Sequence, residues 1–345
     1  MASGKGMTAE DRQTLAAELA DWAGRAGCLR GAALLRAPDG TIHALPIGSG
    51  DPHGGWPIYS LSKAITGAAI FRLIGAGLLD LHMPLEQALA RFFARHGKPD
   101  DTRIADLTIA QLLTHRAGFA GTVERGDAAT GEALNAHLRE TPPDRAPGPE
   151  LLRAVLRQPL AYAPGSEFRY GNTAYLVLGA VIEEASGQTY EAFCREHVLA
   201  PWGIAGALDP DWAVLWSFGG WRMAGADHLA LIEAIVRQFP DLLARPDWTS
   251  GANAQSWYAC GLYVGERLGG PDVSHWGTWH WEMDDARGGP LSAGGHATVR
   301  RRADGLSWFT AAECLPVLAM QAELDGILAR AAERLHPISN APGIV

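Results

Sequence analysis

The sequence predicts an α+β protein in which an antiparallel sheet, flanked by helices, is interrupted by a helical insertion. Strand-like segments joined by turn signals lie near both ends of the chain, and the stretch between them places its apolar residues at helical spacing. The 345 residues also exceed one ordinary domain. The expected division is a sheet domain made of residues 1–80 together with 203–345, and a mostly helical domain over 81–202, with an active site between them.

Each element has a local signal. Leu15, Leu19 and Trp22 share one helical face and predict a first helix within 9–26. Ala32–Arg36 and Thr41–Leu45 flank Pro38-Asp39-Gly40, whose Asp-Gly pair tolerates the positive φ of a hairpin turn. Ser60 to Leu78 is apolar with helical period and ends in Gly75 and Gly77. Thr108 and Gln111 have the spacing of a capping box and open a short helix, Ile109–His115. Residues 121–150, with Pro142, Pro143, Pro147 and Pro149, read as a long surface connection. Ala174–Ala185, stopped by Gly187, and Tyr190–Leu199 are helices. Beyond Pro201, Tyr258–Val264, Val273–Glu282, His296–Arg300 and Leu306–Thr310 look like strands, with a turn at Asp304-Gly305. Met320, Leu324, Ile327, Ala331 and Leu335 form one face of a C-terminal helix. There is no internal repeat.

Composition narrows the function. Hydrophobic residues at 47% and charged residues at 19% describe a soluble globular chain with material for a large core. A net charge of −9 without long basic runs argues against nucleic acid or an anionic membrane as partner. No apolar stretch approaches the ~18 residues of a membrane span, and Met1–Met7 is followed by no apolar signal-peptide core, so a cytoplasmic protein is expected. Cys28, Cys194, Cys260 and Cys314 are far apart and are expected to be buried thiols in a reducing compartment, neither a disulfide framework nor a zinc site. Only Lys5, Lys63 and Lys98 among 29 basic residues are lysines, which makes each of them conspicuous.

Three short motifs can carry chemistry. Ser60 and Lys63 stand at i and i+3, so on a helix the hydroxyl and the amine meet, and a lysine in a dry site can activate a serine. The bland alternative is a capping serine and a solvated lysine, but Lys63 sits in a strongly apolar helix. Tyr170-Gly171-Asn172 offers a phenol, a possible general base if an ammonium stands beside it, and an amide to hold a substrate. Its bland alternative is a packed tyrosine and an ordinary N-cap. His275-Trp276-Gly277-Thr278 lies on an expected strand, where a glycine marks a close approach; the Thr278 and Ser60 amides can serve as oxyanion donors. Here the bland alternative is an edge bulge with an exposed histidine.

The order and spacing of these motifs resemble the serine β-lactamase and penicillin-binding-protein superfamily, in particular its class C β-lactamase-like branch, which includes DD-peptidases, D-aminopeptidases and family VIII carboxylesterases. The resemblance runs from Ile58 to Thr310. It rests on Tyr59-Ser60-Leu61-Ser62-Lys63, Gly77–Leu81, Leu112–Gly118, Ala163–Asn172, Leu178–Glu183 and His275-Trp276-Gly277. It implies a β-lactamase/transpeptidase-like fold, with Ser60 as acylated nucleophile, Lys63 as its proton-handling partner and Tyr170 as base and then acid. Asn172 would orient the substrate, and His275, Trp276, Gly277 and Thr278 would form the strand wall and part of the oxyanion hole. His115 would be a buried, hydrogen-bonded residue of a structural turn. No metal or other cofactor is implied, and the remaining histidines show no ligand spacing.

The shared chemistry does not choose the substrate. Many β-lactamases carry Lys-Thr-Gly at the third motif, where the cation helps to hold a carboxylate; this chain has a weaker cation and an indole, which lowers the expectation of an efficient β-lactamase. The expected function is a serine hydrolase acting on a small ester or amide, carboxylesterase-like. The alternatives are a D-amino-acid peptidase or amidase, a DD-peptidase or weak β-lactamase, an acyltransferase, and a catalytically silent ligand-binding member. Trp202, Trp212, Trp216, Trp221, Trp257, Trp276, Trp279 and Trp281 concentrate in the C-terminal half; most are expected to pack, with Trp276 singled out for substrate contact. Asp284, Asp285 and Arg287 are expected in a loop after that strand, as solvated turn residues or as a gate for specificity.

Overall fold

The computed structural model describes residues 7–119, 141–142, 144–243, 256–267, 270–280 and 294–335. Helix α1 (Ala9–Ala26) opens with a Thr8–Asp11 capping box and stops at Gly27, whose φ of 65° is the left-handed conformation that ends helices. Strands β1 (Arg30–Arg36) and β2 (Ile42–Gly48) form the expected hairpin. A short strand β3 (Gly55–Pro57) leads into a single 3-10 turn over Tyr59–Ser62, from which α2 (Lys63–Gly75) continues. The short helices α3 (Leu85–Ala88), α4 (Ala90–His96) and α5 (Ile109–Leu113) follow, the last with the Thr108–Gln111 capping box in place.

Helix α6 (Pro149–Leu156) precedes α7 (Thr173–Ser186), which Gly187 stops at φ 71°. Helix α8 (Tyr190–Cys194) runs into wider π-type turns over Arg195–Leu199, so Tyr190–Leu199 is helical but not uniformly α. The next segments carried no sequence expectation: β4 (Ala207–Leu208), α9 (Trp216–Gly219), β5 (Trp221–Ala224), α10 (Gly225–Gln238) and α11 (Pro240–Leu243). Strands β3, β5 and β4 form a small antiparallel sheet. The chain closes with β6 (Ser256–Ala259), β7 (Leu262–Arg267), β8 (Gly270–His280), β9 (Gly294–Arg301), β10 (Ser307–Ala312) and α12 (Leu318–Leu335).

The main sheet has the order β2-β1-β10-β9-β8-β7-β6 and is antiparallel throughout. The first strand of the chain pairs the last, β1 with β10, from Gly31↔Ala312 to Arg36↔Ser307. Each face is covered. Ala33, Leu35, Leu45, Ile47, Trp308 and Ala312 face α1 and α12. The alternate residues Ala32, Leu34, Ala297, Val299, Phe309 and Ala311 face α2, α10 and the helical block in one continuous core. Burial on both faces explains why β1 reads as an unbroken apolar run.

Two expectations are corrected. Tyr258–Val264 is not one strand but the hairpin β6–β7, closed by Cys260-Gly261 with φ of 52° and 78°. Both loop residues take positive φ, as a primed two-residue turn requires, and Cys-Gly is not a pair that announces it. Cys28 and Cys314 are not free thiols; they form a disulfide, with their Cα atoms 5.3 Å apart. They precede β1 and follow β10, and antiparallel pairing brings those two ends together across 286 residues of sequence. Cys194 and Cys260 are free and buried. No helix among the described residues is long and apolar enough to cross a membrane. Most of the 121–150 connection, Trp281, Glu282, Asp284, Asp285 and Arg287 lie outside the described residues.

Candidate active site

The site grows from the turn that enters α2. Tyr59 holds a left-handed backbone, φ 45°, costly for a residue with a Cβ and imposed here by its ring. That ring meets Trp212 edge-on at 5.4 Å, and its hydroxyl lies over Gly295, where there is no room for a side chain. The next residue, Ser60, reaches the surface, while Lys63 one turn on is fully buried. Lys63 Nζ lies 3.0 Å from Ser60 Oγ, 3.0 Å from Asn172 Oδ1 and 2.8 Å from the Phe218 carbonyl oxygen. The Tyr170, Tyr175 and Phe218 rings enclose it at 5.0 to 5.8 Å. Burial holds its pKa well below the ordinary lysine value, and no carboxylate pairs with it among the described residues.

Burial favours the neutral amine, and in that form two N–H donors and one lone pair meet the three oxygens. The Asn172 and Phe218 oxygens are carbonyls and can only accept, so they take the two N–H groups. The lone pair then faces the Ser60 hydroxyl, the arrangement in which an amine withdraws a proton from serine.

Tyr170 and Asn172 lie at the entry of α7. Asn172 occupies the N-cap position but caps nothing; its amide is turned to Lys63. The Tyr170 ring packs against His115 at 4.6 Å with the two planes tilted by 48°. Its hydroxyl oxygen is buried without a regular hydrogen bond among the described residues. Burial pushes its pKa well above the usual phenol value, with the neighbouring Ser60 hydroxyl pulling the other way. The expected phenolate needed an ammonium beside it, and burial of Lys63 disfavours that ammonium, so the resting pair is amine and phenol. His115 is buried beneath Tyr170, accepts from the Gly171 N–H at 3.4 Å, and has its pKa held well below the ordinary histidine value chiefly by burial.

Strand β8 supplies the opposite wall. Gly277 packs against the serine turn so closely that a Cβ there would fall 2.6 Å from the Ser60 amide nitrogen. His275 is buried, not exposed. Its Nδ1 lies 2.6 Å from the Trp276 carbonyl oxygen and its Nε2 lies 2.9 Å from the Tyr258 hydroxyl. A carbonyl can only accept, which places the proton on Nδ1 and leaves Nε2 to accept from Tyr258. Burial pulls the His275 pKa to about 3. The weak cation expected there is a neutral ring with both nitrogens engaged.

Alternation along β8 turns Trp276 and Thr278 to the other sheet face. Trp276 is 45% exposed, stacks on Tyr263 at 4.9 Å, and lines a cleft of about 210 Å³ with residues of α12. Tyr263 stacks in turn on Tyr170, so Trp276 stands at the rim, one ring removed from the centre. The Thr278 side chain meets His296 Nδ1 at 2.9 Å. Trp212, Trp216 and Trp221 are packing residues. The structure therefore gathers Ser60, Lys63, Tyr170, Asn172, His275 and Gly277, and places the Trp276 and Thr278 side chains apart from them. Sequence reasoning missed Tyr59, Tyr258 and the Phe218 carbonyl, which hold these groups in place.

The Beta-lactamase family model matches residues 16–212, more than half of the chain and including the serine turn and the Tyr170–Asn172 segment. The chain belongs to the Beta-lactamase family. Members of this family are serine hydrolases. Esterase EstB of Burkholderia gladioli is 33% identical over 149 residues, 42% of this chain and 36% of that protein. Protein flp of Staphylococcus aureus (strain MW2) is 30% identical over 146 residues, 42% of this chain and 26% of that protein. The matches thus span about a quarter to a third of these relatives' lengths. The D-amino acid amidase from Ochrobactrum anthropi SV3, in complex with L-phenylalanine, superposes with a TM-score of 0.69 at 14% identity, over 95% of this chain and 98% of that one. The family's β-lactamase/transpeptidase-like fold extends over nearly all of both.

Proposed function

We propose that this chain hydrolyses a small, uncharged ester or amide through a covalent acyl-enzyme on Ser60. The observation that carries the reading is the buried Lys63 Nζ, 3.0 Å from Ser60 Oγ and held by the Asn172 and Phe218 carbonyl oxygens; as the neutral amine that burial favours, it turns its lone pair to the Ser60 hydroxyl. Lys63 takes the serine proton as Oγ attacks the acyl carbon. The carbonyl oxygen turns into the Ser60 and Thr278 amides, a reading supported by the close contact of Gly277 with the Ser60 amide nitrogen. Tyr170, as the phenol, gives its proton to the leaving group and recovers one from the water that attacks the acyl carbon, while Lys63 returns its proton to Ser60 Oγ as the acyl bond breaks. Asn172 keeps the Lys63 amine oriented and borders the substrate.

The preference for uncharged substrates follows from His275. A neutral ring with both nitrogens engaged offers no charge to a carboxylate beside the scissile bond. The test compares p-nitrophenyl esters, N-acetyl-D-phenylalanine amide and a chromogenic cephalosporin as substrates of the wild type and Ser60→Ala. The uncharged ester or amide turns over faster than the anionic lactam, and Ser60→Ala loses at least ~10³-fold in kcat with its Tm retained. Turnover that survives Ser60→Ala rejects the nucleophile, and a lactam turned over fastest rejects the substrate class.

A further inference from the structure

A cavity of about 340 Å³ opens among α4, α6 and α7, and none of the residues that line it belongs to the group around Ser60. Its volume is that of a site for a small molecule. Phe92, Leu152, Leu176 and Trp216 give it an apolar wall. Its charged groups have both signs. Arg91 and Glu184 satisfy each other, with the Arg91 backbone N–H and Nε donating to Glu184 Oε1 at 2.7 and 3.0 Å. Two charges of opposite sign remain. Arg95, one turn beyond Arg91 on α4, is exposed and has no ion pair or hydrogen bond among the described residues. Glu183 is half-buried; its Oε1 accepts from the Tyr190 N–H at 2.8 Å, and its other oxygen has no partner among the described residues. Burial raises the Glu183 pKa, so an ammonium placed against it would relieve a real cost.

A purely anionic ligand would face Glu183, and a purely cationic one would face Arg95. We propose that this cavity binds a free amino acid with a large apolar side chain, its ammonium on Glu183, its carboxylate on Arg95 and its side chain against Phe92 and Trp216. The proposal does not rest on the hydrolase reading.

Calorimetric titration with L- and D-phenylalanine tests it, using both wild type and Ser60→Ala so that turnover plays no part. Saturable binding by both proteins is expected. Arg95→Ala removes an exposed group, and Glu183→Gln keeps an acceptor for the Tyr190 N–H; each should weaken binding at least ~10-fold while the Tm is retained. 2-Phenylethylamine and 3-phenylpropanoate, which each lack one charge, should bind at least ~10-fold more weakly than phenylalanine. No binding of either enantiomer overturns the proposal. Undiminished binding by Arg95→Ala and Glu183→Gln places the amino acid elsewhere and overturns it as well. Equal binding of the amine or the acid alone overturns the zwitterionic ligand.

Discussion

At the scale of single residues the account turns on one protonation state. Lys63 is buried, is enclosed by aromatic rings and has its pKa depressed by desolvation. If the neutral amine is the base, kcat/KM rises with pH as Lys63 loses its proton and levels off, with the inflection below the ordinary lysine value of 10.5. Lys63→Arg, permanently charged, loses that rise and ~10²- to 10⁴-fold of the rate. Lys63→Met falls in the same range. Tyr170→Phe should lower kcat by ~10²-fold or more with little change in KM, because the phenol acts on the proton and not on binding; an unchanged kcat removes it from the mechanism. The Ser60–Lys63 pair was legible because its spacing is local and lysine is scarce in this chain. The Phe218 carbonyl was not, because a backbone oxygen has no sequence signature and lies 155 residues from the amine it binds. The Tyr258–His275 bond likewise depends on how β6 pairs β7 and β7 pairs β8, which neither residue announces.

At the scale of elements, two close approaches place the serine turn. Gly277 admits β8 against the Ser60 amide, and Gly261 seats the β6–β7 turn on the Lys63 backbone. Gly277→Ala puts a methyl group 2.6 Å from the Ser60 nitrogen, so strand or turn must shift. The expected result is a loss of ~1–3 kcal/mol in stability and a larger loss in kcat, measured by denaturant titration and by ester turnover. Wild-type kinetics in that variant would show that β8 does not border the reacting centre. Elements with local signals were readable: α1, the Asp39-Gly40 hairpin, the capped α5, α7 with its glycine stop, and α12. Helix α10 passed unread although His228, Leu229, Leu231, Ile232 and Ile235 on it are buried, because its 14 residues follow a short strand directly, with no side-chain cap to mark its start.

At the scale of the molecule, the first and last strands of the chain pair side by side, and the Cys28–Cys314 bond ties their ends. Cys28→Ala with Cys314→Ala should lower stability by ~2–4 kcal/mol and leave the ester kcat unchanged, since the bond lies on the α1/α12 side of the sheet. An unchanged unfolding midpoint would show that the bond constrains nothing. Acid should act on the whole fold. His228 and His275 are held at about 3 and His296 at about 4, against 6.5 for an ordinary histidine, each chiefly by burial. Between pH 6.5 and these values the unfolded chain binds protons that the folded chain does not. Stability is therefore present above 6.5 and is lost as pH falls through the window. The urea midpoint should drop between pH 7 and pH 4.5, and His228→Leu should shrink that drop; a flat profile contradicts the buried neutral histidines.

The most direct test of the central claim is the intact mass of the protein quenched during reaction with a slow-turnover activated ester, followed by peptide mapping. The account predicts that the wild type gains the mass of one acyl group, mapped to Ser60, and that Ser60→Ala gains none. An acyl group on another residue, or one retained by Ser60→Ala, would contradict it.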